Sequence, residues 1–332
     1  MGNVLIAQKL SSIIRDEKSK PKKLKLFGNI WREGELCVLI GDAGTGKTIL
    51  GMQIGLCIAD PEKFRHFDYN VQNDSLDVTT EPQKVLYMNF EMDNSQLAER
   101  FKGEDGQVFE PPNGFLVLSM KDDEATLEDY KESILHHLDS QKVKVLVIDN
   151  LSSFVAFGLK VEENDSVVKF MAWLKQVKKD KGISILLIHH PTKRRKASEL
   201  HLNDIGGSSA IGRFIDSAFG IGKNVRFSGN ARYMVQLKSR SSQAKYHSEN
   251  VAMFNIHKNH NRLLCSFNGE TMAEWECLKF TDNELTDRNA QIYERFKNGE
   301  SKSSLAREYD KTPTTIGRVV KAEQEKETDA PF

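Results

Sequence analysis

Short, almost unbroken apolar runs recur along this chain: "ELCVLIG", "KVLYMNFE", "VKVLVIDN" and "ISILLIHH". A strand with one face in water alternates apolar and polar residues. These runs do not alternate, so both of their faces must be covered, the situation of a parallel sheet with helices on either side. The stretches between them carry helical spacing. "KTILGMQIGLCIAD" reads as a helix ending before Pro61, and Leu127, Tyr130, Ile134 and Leu138 as another. Val167, Met171 and Leu174 mark a third, closed by Gly182, and "SQLAERF" begins a further one with Ser95 as its N-cap. From Ala231 the texture changes to "RYMVQLK", "VAMFNIHK" and "NRLLCSFNG", read as an antiparallel extension. Residues Pro61 to Gln83 read as an ordered loop or insertion.

The ends differ from this middle. Val4 to Ile14 forms a short amphipathic segment, followed by the basic "RDEKSKPKKLKL", read as a linker or arm. The expected organisation is an arm over 1–27, an α/β domain over 28–280 and a small all-α unit over 284–325. Lys and Arg together number 47 and so do Asp and Glu, so nucleic-acid binding would have to rest on local patches. No apolar run approaches the ~20 residues of a membrane-spanning helix, and the first residues lack a signal-peptide core. Cys37, Cys57, Cys265 and Cys277 have no metal-ligand spacing, which suits reduced core thiols in a cytoplasmic protein.

"GDAGTGKT", Gly41–Asp42–Ala43–Gly44–Thr45–Gly46–Lys47–Thr48, followed by Ile49, fits GxxxxGK[ST] between an expected strand and an expected helix. Glycines let backbone N–H groups turn inward as an anion nest, and the helix N-terminus adds partial positive charge. Lys47 would reach the β- and γ-phosphates of ATP, and the Thr48 hydroxyl would ligate Mg²⁺. A glycine-rich turn is the plain alternative. Asp149, ending "VLVID", would hold the metal's water shell; an ordinary strand-terminal aspartate is its alternative. Glu91, just past the strand after the P-loop helix, faces the same crevice and would deprotonate water, or else is a surface glutamate.

Together these residues resemble the RecA-like superfamily, and within it the hexameric DnaB/RepA-type replicative helicases, in the plasmid and phage RepA-like branch. The resemblance runs from about Gly34 to Ser242. "VLYMNFEMDNSQLAERF" is similar to the family's strand–Glu–helix segment, which makes Glu91 the base. "VLVIDNLSSF" resembles its metal-binding strand, at Asp149. "LLIHHPTK" resembles its sensor strand, with His190 at the sensor position and Lys193 downstream. "DIGGSSAIGRFIDSAFGI" resembles the following glycine- and serine-containing segment, with Asp216 before the next strand. "QLKSRSS" resembles the element whose lysine and arginine, here Lys238 and Arg240, reach a neighbouring subunit's γ-phosphate. What this implies is a homo-oligomer, a hexameric ring, acting on single-stranded DNA. Two departures from the resemblance are read: no segment resembling the primase-interacting N-terminal domain of the larger relatives is expected here, and the helical C-terminal segment is an extension that minimal plasmid helicases lack.

The basic run Lys193, Arg194, Arg195 and Lys196 directly follows the sensor strand and would contact DNA phosphates, or be a solvated loop. Adjacent strand residues point to opposite faces, so His189 and His190 cannot easily share a metal. His190 is read as facing the nucleotide and His189 as packed in the core, with a one-residue swap left open. "SKSSLAREYDKTPTTIGRVVK" has helix–turn–helix spacing, with Thr312 capping a second helix that starts at Pro313, and "DRNAQIYERFKNG" supplies a preceding helix. It resembles the helix–turn–helix of resolvases and sigma-like regulators, with Asp310 at the usual turn glycine. Thr314, Thr315 and Arg318 would face duplex DNA, and a protein-binding helical module is the alternative. The expected activity is ATP-dependent DNA unwinding or translocation in replication. An ATP-switched initiator or regulator, or a recombinase-like ATPase, is the other reading.

Overall fold

The computed structural model describes residues 7–64, 76, 78, 81–102, 108–119, 125–151, 164–191, 198–205, 211–227, 229–259, 262–278, 282–309 and 311–328. Its centre is one sheet of strands β3 (Leu36–Ile40), β4 (Val85–Asn89), β5 (Phe115–Ser119), β6 (Val145–Asp149), β7 (Ser184–His189), β8 (Ser217–Lys223), β9 (Ala231–Ser239), β10 (Val251–Asn259) and β11 (Arg262–Met272), in the order 11-10-9-8-3-7-6-4-5. Strands β3 to β8 pair parallel, and β9, β10 and β11 extend the sheet antiparallel beyond β8. The α/β class follows from the apolar runs as expected. A separate small ladder, β1 (Lys25–Phe27) with β2 (Trp31–Arg32), precedes β3.

Each central strand feeds two cores. Cys37 and Leu39 of β3 pack on one side with Val145, Val147, Leu186 and Ile188, while Leu36, Val38 and Ile40 pack on the other with Leu146, Ile148, Ile185 and Leu187. That alternation between two apolar clusters is the physical meaning of an unbroken apolar strand. Helix α2 (Lys47–Ala59) lies in the first core and is buried on nearly every face. Its Gln53 side chain also bonds the Cys265 backbone of β11 at both its amide nitrogen (2.9 Å) and its oxygen (2.7 Å). Helices α4 (Leu127–Ser140) and α5 (Asn164–Lys181) cover the second core through Ile134, Leu138, Phe170, Met171 and Leu174.

Several boundaries differ from the sequence reading. Helix α3 (Asn94–Glu99) is capped by Asp93, not Ser95: Asp93 accepts from the Gln96 amide, and the Gln96 side chain answers to the Asp93 amide. Both residue types cap well, and the reciprocal Gln decides. Helix α1 (Leu10–Ser19) takes in part of the basic linker and buries nothing, with Leu10, Ile13 and Ile14 exposed. Leu26 and Phe27, assigned to the arm, are fully buried in the first core. The expected loop from Pro61 begins with a helical turn, Pro61–Phe64, and most of the remainder lies outside the described residues.

The C-terminal helices α6 (Asp282–Lys297), α7 (Lys302–Glu308) and α8 (Pro313–Thr328) enclose their own small core of Ile292, Leu305, Ala306, Ile316 and Val320. Thr312 caps α8, accepting from the Thr315 amide at 3.1 Å. Arg295 braces the unit by a two-pronged pair with Glu308 (2.7 and 2.8 Å) and a bond to Glu300. No described helix is long and apolar enough to cross a membrane. All four cysteines are free and buried.

Candidate nucleotide and catalytic site

β3 runs out at Ile40 into the loop Gly41–Gly46, which turns directly into α2. Gly44 and Gly46 adopt φ of 71° and 98°, conformations that side-chain-bearing residues rarely take. At Gly41 a Cβ would lie 2.5 Å from the Ile221 carbonyl, so β8 forbids any side chain there. Thr45 ties the loop by donating to the Asp42 carbonyl at 2.8 Å. Lys47 is almost wholly buried, and its ammonium group donates to the carbonyls of Gly41 (2.7 Å) and Asp42 (3.0 Å). Burial holds its pKa below that of an ordinary lysine, against the opposing charges of Glu91, Asp149 and Asp42. A phosphate chain would replace those carbonyls as Lys47's partner.

The neighbouring strand ends converge on this loop. Asp149 ends β6 and is fully buried; Tyr87 of β4 donates to its Oδ2 at 2.5 Å, and the Thr48 hydroxyl stands beside the carboxylate and works to lower its pKa. Its Oδ1 is buried with no hydrogen-bond partner among the described residues. Burial pushes this carboxyl up despite those two hydroxyls, so the pocket favours a cation beside it. An orphaned carboxylate oxygen next to a threonine hydroxyl at the mouth of a phosphate nest suits Mg²⁺, which keeps most of its waters. Thr48 and Asp149 would hold it, and when bound it supplies charge neutralisation for the phosphates.

His190 follows β7 and faces the same cleft. Its Nδ1 lies 3.3 Å from the Lys47 ammonium and its Nε2 4.0 Å from Glu91 Oε1. An ammonium can only donate, so Nδ1 accepts and the ring proton sits on Nε2, toward Glu91. Burial, and then Lys47, lower the His190 pKa, against Glu91 and Asp42, which favours the neutral ring. Glu91 is exposed at the rim and accepts from the Asn150 side-chain amide at 3.1 Å. The structure thus brings Lys47, Thr48, Asp149, Glu91 and His190 together at one end of the sheet. His189 is buried within the strand.

Two contributors were not singled out from sequence: Tyr87, which braces Asp149, and Asn150, which holds Glu91. The adjacency of Asn150 to Asp149 was the available signal for the second. The pairing Asn89↔Asp149 brings the ends of β4 and β6 level, which sequence alone does not reveal.

Lys238 and Arg240 lie elsewhere. Ser239 pairs with Ser217, and Ser217 with Cys37, so the end of β9 stands beside the start of β3, across the sheet from the P-loop. Arg240 meets Asp216 (3.4 Å) and the Arg213 carbonyl, and Lys238 donates to the Gly212 carbonyl at 2.6 Å. Asp216 also accepts from Lys178 (2.5 Å) and the Leu36 amide (3.0 Å). Burial works to raise this carboxyl, but the Leu36 amide, Lys178 and Arg240 together hold it below the usual range. Neither basic side chain reaches the chain's own P-loop. Thr314 and Arg318 are exposed on α8, whereas the Thr315 hydroxyl pairs with that of Thr312 (2.9 Å) in the cap. Lys193, Arg194, Arg195 and Lys196, residues 206–210 and Asp310 lie outside the described residues.

The sequence matches the AAA domain family over residues 7–196, more than half of the chain. The chain belongs to that family. This AAA domain is a P-loop ATPase domain, and its match ends within the basic run that follows β7. No curated protein matches it. A solved structure, a KaiC-like protein from the hyperthermophilic archaeon Pyrococcus horikoshii OT3, aligns over 74% of this chain and 98% of that one, at 14% identity and a TM-score of 0.49.

Proposed function

We propose that this AAA domain protein is an ATP-driven motor on DNA, a helicase or single-strand translocase of replication that hydrolyses ATP between subunits of a homo-oligomeric ring. The observation that carries the reading is the convergence of Lys47, His190 and Glu91 within 4.0 Å steps beside the buried Asp149. Glu91 orients and deprotonates the attacking water. Lys47 and the P-loop amides hold the phosphates, with Thr48 and Asp149 on Mg²⁺. His190 touches both the phosphate-binding lysine and the base, and it leads directly into the basic run Lys193–Lys196, so a change at the γ-phosphate has a covalent route to DNA contacts.

The position of Arg240 supports the ring. It cannot serve its own P-loop, and an arginine supplied from a neighbour stabilises transition-state charge by roughly 10³ or more in rate. Helix α1, with its exposed Leu10, Ile13 and Ile14, suits an arm laid on an adjacent subunit. Displacement of a labelled strand from a forked duplex, with ATP and Mg²⁺, tests the reading. ATP-dependent displacement is expected. Hydrolysis without displacement at any salt concentration would instead favour an ATP-switched initiator or regulator.

A further inference from the structure

At the end of the sheet away from the P-loop, a second carboxylate lies deeper than that of Asp216. Glu35 immediately precedes β3 and is only 3% exposed. Its Oε2 accepts from the Arg32 amide of β2 and from the Ser217 hydroxyl at the head of β8, each at 3.1 Å. Its Oε1 accepts from the Ser241 hydroxyl. Donors from three separate segments therefore meet both oxygens of one buried carboxylate, and hydrogen bonds to a carboxylate are stronger than those between neutral groups.

Ser241 lies in the turn after β9, next to Arg240. The rest of that turn is also tied down. The Arg240 amide donates to the Asp216 carbonyl at 3.1 Å. The Ser239 and Ser242 hydroxyls pair at 3.0 Å, and the Ser242 hydroxyl contacts the Asn29 carbonyl at 2.9 Å. The Arg240 guanidinium, by contrast, makes two long contacts, 3.4 Å to Asp216 and 3.3 Å to the Arg213 carbonyl, and the side chain is half exposed. The base of the turn is held and its tip is loose. A side chain that reaches out of its own subunit requires this arrangement, because a small misplacement of a reacting group costs rate steeply and only a fixed base prevents it. The anchor also joins two sites. β3 runs from Glu35 to Gly41, so the turn and the chain's own P-loop are fixed to opposite ends of one strand.

We propose that Glu35 is a positioning residue for a neighbouring copy's site, fixing through Ser241 the turn that presents Arg240. Glu35 acts through that turn and touches no nucleotide itself. This rests on the reading that Arg240 serves the P-loop of another copy, and it names the bond that sets the geometry of that arginine.

Ser241→Ala removes the bond at an exposed position, so the fold should survive, as an unchanged thermal midpoint by circular dichroism verifies. Its kcat for ATP should fall about ten- to a hundredfold with KM unchanged, and Ser241→Thr, which keeps the hydroxyl, should restore it. Glu35→Asp, whose shorter side chain draws the carboxylate back from Ser241, should show the same loss. Mixing, in preparations shown by sedimentation to contain mixed oligomers, assigns the defect to one side of the interface. With Lys47→Ala, whose turn is intact, Ser241→Ala should regain turnover. With Arg240→Ala it should not, since no copy then holds its arginine correctly. Wild-type kcat in Ser241→Ala or in Glu35→Asp, beside an inactive Arg240→Ala, would overturn the proposal and leave the neighbour's arginine in place. A loss that Lys47→Ala does not repair, or that Arg240→Ala does repair, would put the defect inside its own subunit and overturn the proposal as well. Wild-type turnover from Arg240→Ala would remove the arginine from the reaction, and the role of Glu35 with it.

Discussion

The two ends of the parallel sheet hold their charges differently. At the P-loop end the polar groups converge but only partly complete one another: Tyr87 meets Asp149 and Asn150 meets Glu91, yet Lys47 rests on backbone carbonyls, and Asp149 Oδ1 has no hydrogen-bond partner among the described residues. At the opposite end Asp216 is met by Lys178, Arg240 and the Leu36 amide, a closed ion cluster. Groups left incomplete in a buried crevice are poised for a ligand, whereas groups that complete one another hold structure. Arg240 belongs to the second set in a single chain, and the ATPase reading needs it in the first set of a neighbour. Its side chain is half exposed and its contact with Asp216 is long, 3.4 Å, so release is inexpensive.

Substitutions at the two ends should therefore fail in different ways. Glu91→Gln should lower ATP turnover by about 10²–10⁴-fold while leaving ATP binding intact, as measured by steady-state hydrolysis and nucleotide titration. Near-normal turnover would remove Glu91 as the base. Asp216→Ala should act on stability, because it strands Lys178 and the Leu36 amide. A loss of about 2 kcal/mol in denaturant unfolding is expected, below the ~3–5 of a fully buried pair. No loss would mean that the far-end cluster is ornamental to the fold.

Asn150→Ala removes the hydrogen bond to Glu91, and a change in turnover of about fivefold is expected, equivalent to ~1 kcal/mol. A loss as large as that of Glu91→Gln would place Asn150 in the chemistry itself. The smallest effect is electrostatic. NMR titration should give His190 a midpoint below the ordinary ~6.5, since burial and Lys47 lower it. Lys47→Ala should move the midpoint up, and Glu91→Gln should move it down, because Glu91 favours the charged ring. The native state then binds fewer protons at His190 than the unfolded chain. This contribution to stability is lost as pH falls from about 6.5 through the folded midpoint.

Much of the P-loop end was legible in the sequence because its signals are local. Glycines at fixed spacing, an aspartate ending an apolar run and a histidine ending another are all readable within a few residues. The central strands were legible because two-sided burial leaves no polar positions. β5 was not, since Phe115–Ser119 is a half-buried edge strand whose short apolar run has no distinguishing period. The bonds Tyr87–Asp149 and Asn150–Glu91 depend on how β4 and β6 align, and alignment between separated strands is set by packing.

The central claim is that the site at the P-loop end is completed by Arg240 of another copy. Mixing Lys47→Ala and Arg240→Ala proteins and measuring ATP turnover tests it directly. Each variant alone should be nearly inactive, and the mixture should regain a measurable share of wild-type turnover at interfaces that pair an intact P-loop with an intact Arg240. A mixture that stays inactive, in a preparation shown by sedimentation to contain mixed oligomers, would contradict the claim, as would wild-type turnover from Arg240→Ala alone.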